Sequence, residues 1–96
     1  MVESITWSDW LDFSTQEISK IPEEPGVYTM HAAMKILIIG NSTNLRQTVL
    51  ESTKDPCTKD AKRFRYSVIS SHEEAKSQLL KEYQEKHDGK LPRCME

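Results

Sequence analysis

The chain has little that would mark a secreted, membrane-spanning or metal-stapled protein. It holds two cysteines in 96 residues, Cys57 and Cys94, too few for the disulfide framework of a small extracellular scaffold. The spacings Cys57-x14-His72 and His87-x6-Cys94 match no ligand pair of a zinc site, so no metal is expected. Two reduced, partly buried thiols are the expectation. An intramolecular disulfide stands as the open alternative, because both cysteines fall in loop-like segments. The longest apolar run, Ile36 to Ile39, is four residues long, whereas a membrane span needs about 20, so no membrane partner is expected. Met1-Val2-Glu3-Ser4 lacks the basic-then-apolar order of a signal peptide, which points to a cytoplasmic location. No internal repeat or low-complexity tract is present.

What remains fits one small soluble domain. Apolar residues make up 36% and charged residues 29%, enough for a single modest core. The net charge of -2 is unevenly spread: residues 1–34 carry -5 and residues 35–96 carry +3. A basic second part suits phosphate binding through counterion release, and it equally suits an ordinary solvated surface.

Residues 1–21 read as a helical N-terminal arm packed on a domain formed by residues 22–96. Thr6 with Asp9 forms a capping signal, and Trp7, Trp10 and Leu11 share one face of such a helix. Ser14-x-x-Glu17 is a second capping signal before Ile18 and Ile21. Pro22 to Gly26 is punctuation, after which Gly26 to Met30 is β-prone. His31 to Met34 then serves as a hairpin connection to a central strand, Lys35 to Ile39. Ser42 or Thr43 caps a helix to about Lys54, with Leu45, Val49 and Leu50 pointing inward. Phe64 to Ile69 alternates as a third strand, and capping boxes Ser70/Glu73 and Ser71/Glu74 open a last helix that ends at Asp88-Gly89. The order β-β-α-β-α predicts an α+β sandwich on a three-stranded antiparallel sheet.

Gly26-Val27-Tyr28, Ile38-Ile39-Gly40 and the following Asn41-Ser42-Thr43-Asn44-Leu45-Arg46 resemble the GIY-YIG nuclease superfamily. The similarity extends over about residues 22–96, and the ending His87-Asp88-Gly89-Lys90-Leu91-Pro92-Arg93-Cys94 resembles small single-domain archaeal-type members of uncertain role. The resemblance implies metal-assisted phosphodiester hydrolysis: a glutamate holding a divalent cation, an arginine on the transferring phosphoryl group, two tyrosines, a histidine and an asparagine. Matched residue by residue, Tyr28 keeps the first tyrosine. The second tyrosine falls on Ile38, the arginine on Thr48, the histidine on Ser52, the glutamate on Lys76 and the asparagine on Met95.

Five of the six functional side chains are therefore absent, and no catalytic residue is expected. Glu73, three residues before Lys76, lies on nearly the same helix face. A cation there would face the lysine ammonium at a cost of roughly 4 kcal/mol. The expectation is a pseudoenzyme with no cofactor, Mg²⁺ entering only if it cleaves as an endonuclease after all. Its predicted role is nucleic-acid binding through Tyr28, Arg46, Lys62, Arg63, Arg65 and Lys76. The alternative is a regulatory or homodimerising domain whose partner is protein or a second copy, motivated by the acidic, tryptophan-bearing arm. Alternation along the third strand sends Arg63 and Arg65 to one face, Phe64 and Tyr66 to the core.

Overall fold

A computed structural model describes residues 6–32 and 35–95. Its elements are strand β1 (Leu11–Asp12), helix α1 (Thr15–Ile18), strands β2 (Gly26–Ala32) and β3 (Lys35–Ser42), helix α2 (Leu45–Ser52), strand β4 (Arg63–Val68) and helix α3 (His72–Lys86). A 3₁₀ turn at Arg93–Met95 closes the chain. The architecture is α+β on one antiparallel sheet of order β1-β4-β2-β3.

The sheet has four strands where three were expected, and the fourth comes from the arm. Residues 6–10 are not helical. Ser8 N–H donates to the Tyr66 carbonyl at 2.9 Å, and Leu11 and Asp12 pair with Phe64 and Arg63. Without this pairing β4 would present an open edge of unsatisfied backbone groups. That long-range gain outweighs a one-turn capping signal, and the described part of the arm is helical only at Thr15–Ile18, where Ser14 Oγ accepts from Glu17 N–H at 3.4 Å.

Alternation on β2 sorts its side chains to two layers. Tyr28 and Met30 join Phe64, Leu45, Val49, Ile18 and Ile21 in the main core, beneath α1 and α2. Val27 faces the other way and packs with Ile69 and Ala75 under α3. Gly26 has no room for a side chain, because a Cβ there would run into the Ser67 carbonyl and the Leu45 methyl.

Two local expectations shift by a residue or two. Helix α2 is capped by Asn44, whose side chain accepts from Gln47 N–H at 3.2 Å, while Ser42 completes β3 and takes Asn44 N–H at 2.9 Å. It ends at Ser52, and Leu50 points outward, 44% exposed. Of the connection expected at residues 31–34, His31 and Ala32 belong to β2, and positions 33–34 lie outside the described residues. Helix α3 stops where Asp88 and Gly89 turn to positive φ, and Gly89 N–H closes on the Gln84 carbonyl at 2.8 Å.

The thiols are not reduced. Cys57 and Cys94 form a disulfide across a Cα separation of 5.8 Å, tying the loop after α2 to the closing turn. Spacing alone could not decide this, because the two loops meet only once α3 has carried the chain back along the sheet.

Candidate functional site

The positions matched to the nuclease pattern are built into packing. Tyr28 is 5% exposed and pairs across the sheet with Gly40 on one side and Tyr66 on the other. Its ring lies over Gly40, where a Cβ would come within 2.5 Å of the phenol carbon and oxygen. The absence of a side chain at Gly40 is thus what lets the tyrosine lie flat in the core. Burial, and secondarily the charge of Asp55, push the Tyr28 phenol above its usual pKa of 10, so it stays protonated. Ile38 packs half-buried against the same core.

Hydroxyls occupy the places of the arginine and the histidine. Thr48 Oγ1 shares a hydrogen bond with Ser42 Oγ at 2.5 Å, Ser52 Oγ donates to the Thr48 carbonyl at 3.0 Å, and Thr58 Oγ1 donates to the Ser52 carbonyl at 2.7 Å. These groups serve each other and the backbone. Lys76 is half-buried on α3, beside Ala75. The sheet therefore runs between the helix of Lys76 and the helix of Thr48 and Ser52. Met95 sits in the 3₁₀ turn next to the disulfide.

The predicted binding residues separate into two groups. Tyr28, Arg46 and Lys76 are structural or partly covered. Arg46 Nε donates to the Ile21 carbonyl at 2.7 Å and its guanidinium lies 3.9 Å from Glu23, which clasps α2 to the turn before β2. Lys62, Arg63 and Arg65 lie together at the start of β4, beside Thr29 to His31 at the far end of β2.

Two cavities open at that end and meet at His31. One, of about 350 Å³, is lined by Trp10, His31, Lys62 and Arg63. The other, of about 490 Å³, is lined by His31 and Ile36 of the sheet, by Lys35, by Tyr83 and His87 of α3, and by Lys90, Leu91 and Arg93 of the tail. Among the described residues the two linings carry five Lys or Arg side chains and no carboxylate. Asp12 approaches Arg63 at 3.9 Å, with both side chains mostly exposed, so the pair is weak and leaves the guanidinium available.

Aromatic rings order this end. The Arg65 guanidinium lies 4.4 Å from the Trp7 ring and 4.5 Å from the Trp10 ring, a double cation–π contact. Trp10 also rests on the His31 ring at 4.2 Å and remains 37% exposed. Across the second cavity Tyr83 and His87, one helical turn apart, stack at 3.9 Å with their planes 11° apart. His87 Nδ1 is 2.8 Å from the Tyr83 carbonyl, which fixes the imidazole. Burial, then the charge of Arg65, lowers the pKa of His31, so the ring between the cavities is neutral at neutral pH.

Of this set the sequence pointed to Lys62, Arg63 and Arg65 alone. His31, Lys35 and Tyr83 come from separate stretches, and His87, Lys90 and Arg93, although in the one ending that carries the family resemblance, had no binding role assigned to them. The i,i+4 pair Tyr83/His87 was the one local signal, and it reads equally as helix packing. Trp7 and Trp10 cover Arg65 from an extended segment rather than from a helix face.

A family profile described as a domain of unknown function (DUF7508) matches residues 6–86. No curated protein matches the chain. Among solved structures the chain is similar to the GIY-YIG N-terminal endonuclease domain of UvrC from Thermotoga maritima. Two tyrosine-to-phenylalanine mutants of that domain, each bound to its catalytic divalent cation, align at 18% and 19% identity. Each alignment covers 82% of this chain and 90% of that one, with TM-scores of 0.57 and 0.56. The fold is GIY-YIG-like.

The side chains present here do not fit such a cation. Divalent ions of this kind are held by oxygen ligands, carboxylates foremost. The matched position carries Lys76, and among the described residues no group of three or more His, Cys, Asp or Glu converges.

Proposed function

We propose that this chain, which belongs to the family described as a domain of unknown function (DUF7508), uses its GIY-YIG-like fold to bind nucleic acid without cleaving it. The reading rests chiefly on the end of the sheet at His31, where five cationic side chains and, among the described residues, no carboxylate line two joined cavities. Phosphate affinity comes largely from Lys and Arg displacing counterions, and the one acid that approaches these cations, Asp12 at 3.9 Å from Arg63, is an exposed and weak competitor. The UvrC domains of like fold are endonucleases, which makes nucleic acid the natural ligand class to test.

Absence of cleavage follows from the chemistry of the matched positions. Hydrolysis needs a cation-holding carboxylate and a cationic partner for the phosphoryl oxygens. Lys76 and Thr48 supply an ammonium and a hydroxyl instead, and Thr48 is already hydrogen-bonded to Ser42. Removing one electrostatic stabiliser of a transition state costs about 10²–10³ in rate, so loss of two leaves no useful turnover. No step through a metal is derived for this chain.

The test is titration of a labelled oligonucleotide at several salt concentrations, with a plasmid-nicking assay in Mg²⁺ or Mn²⁺ alongside. Binding that weakens with salt and leaves the plasmid intact supports the reading. A log–log salt slope near zero removes nucleic acid as the ligand. Nicking that disappears in Glu73→Ala restores the endonuclease.

A further inference from the structure

The two cavities are alike in chemistry, and the likeness narrows the ligand. Each sets a pair of rings among cations: Trp10 tilted at 44° against His31 beside Lys62 and Arg63, and Tyr83 stacked on His87 beside Lys90 and Arg93. They share His31 as a common wall. Their volumes, about 350 and 490 Å³, fall in the range that takes a small organic group such as a nucleotide.

We infer that this end of the sheet is a track for single-stranded nucleic acid, with one base stacking on Trp10, a nearby base on Tyr83, and the backbone crossing at His31. The inference rests on the nucleic-acid reading above and specifies its form. In a duplex the base faces are stacked on one another and only edges reach the grooves. Exposed rings set among cations have nothing to stack on there. A single strand offers every base face, and stacking is tolerant of sequence because all bases have one.

The local build supports the assignment. The same sheet face carries Arg65 and His31 beneath the Trp10 ring, which is thereby held in place while keeping 37% of its surface exposed. Lys62 is fixed beside it, because its N–H donates to the His31 carbonyl at 2.7 Å. A neutral His31 leaves the crossing point free of a charge that would pin a phosphate between the two stacking places.

The experiment compares a labelled oligo(dT) of about twelve nucleotides with a duplex of equal length, by fluorescence anisotropy on the full chain. The unsubstituted protein is expected to bind the single strand at least about tenfold more tightly. Trp10→Ala is expected to weaken single-strand binding about 5- to 100-fold and to bring the ratio towards one, with Trp10→Phe recovering most of the loss. Tyr83→Leu carries the same expectation at the second cavity and decides the matter should Trp10→Ala fail to fold. A ratio at or below one, or a ratio unchanged in the alanine and leucine variants, overturns the inference. Salt-dependent binding to duplex with such a ratio overturns it alone and leaves the nucleic-acid reading standing. Salt-dependent binding to neither form overturns both.

Discussion

Two arginines and two tyrosines of this chain show how differently the two ends of one sheet use the same groups. Arg46 is spent on the Ile21 carbonyl and Glu23, whereas Arg63 lines an open cavity with only a weak carboxylate neighbour. Tyr28 is sealed over Gly40, whereas Tyr83 stacks on His87 at the wall of a cavity. Residue type does not separate the pairs. What separates them is whether the fold has already satisfied the group. The face under α1 and α2 has become core and hydroxyl ladder, and the β2–β3 end has kept its charge at cavity walls, with Arg63 in one weak, exposed pair. Substitutions in the first region are therefore expected to change stability, those in the second to change binding.

The largest effect is expected from Tyr28→Ala, which empties a core position and should cost about 3–5 kcal/mol in denaturant unfolding. Oligonucleotide affinity of the remaining folded protein should stay within about twofold. A large affinity loss without a stability loss would break the division between the two regions. Next comes the pair Lys62→Glu and Arg63→Glu, expected to lower oligonucleotide affinity about 10- to 100-fold near 100 mM salt and to flatten the salt slope. Its unfolding midpoint should hold within about 0.5 kcal/mol, since both side chains are exposed. Gly40→Ala should cost about 1–3 kcal/mol, because the new methyl must displace the buried Tyr28 ring. Installing Thr48→Arg with Lys76→Glu is expected to yield no nicking in Mg²⁺, as the second tyrosine, the histidine and the asparagine of the pattern still fall on Ile38, Ser52 and Met95. Nicking by that double variant would return the first region to catalysis.

The smallest effect is a pH dependence. The His31 pKa lies below its usual 6.5 in the folded protein, first through burial and then through Arg65. The unfolded chain therefore takes up the proton at higher pH than the native one. Stability from this group is complete above about pH 6.5 and is lost as pH falls towards the folded value. Urea midpoints at about pH 7.5 and 5.5 should show the drop, and His31→Asn should reduce it.

The central hairpin was legible because Gly26-Val27-Tyr28 and Ile38-Ile39-Gly40 carry their own logic: β-prone runs, with a glycine where a ring must cross. Ser14-x-x-Glu17 likewise announced α1, since a cap acts within one turn. The edge strand was not legible. Trp7, Trp10 and Leu11 have helical spacing, and only pairing with a strand more than fifty residues away makes the segment extended. The cationic end was legible only at Lys62–Arg65. Its other members reach it through strand register and through α3, whose fifteen residues run about 22 Å back along the sheet. The departures from the nuclease pattern could be read position by position, while the mutual hydrogen bonding among Ser42, Thr48 and Ser52 depends on how β3 and α2 meet in space.

The Cys57–Cys94 link closes β4, α3 and the tail into a covalent ring, with a sequence separation of 37 between its two ends. A single protease cut inside that ring, at the turn before α3 for instance, releases no fragment until a reductant is added. Mass measured before and after reduction would therefore report on the ring itself. Lys90 and Arg93, just ahead of the link, would stay moored to the body even where the end of α3 frays.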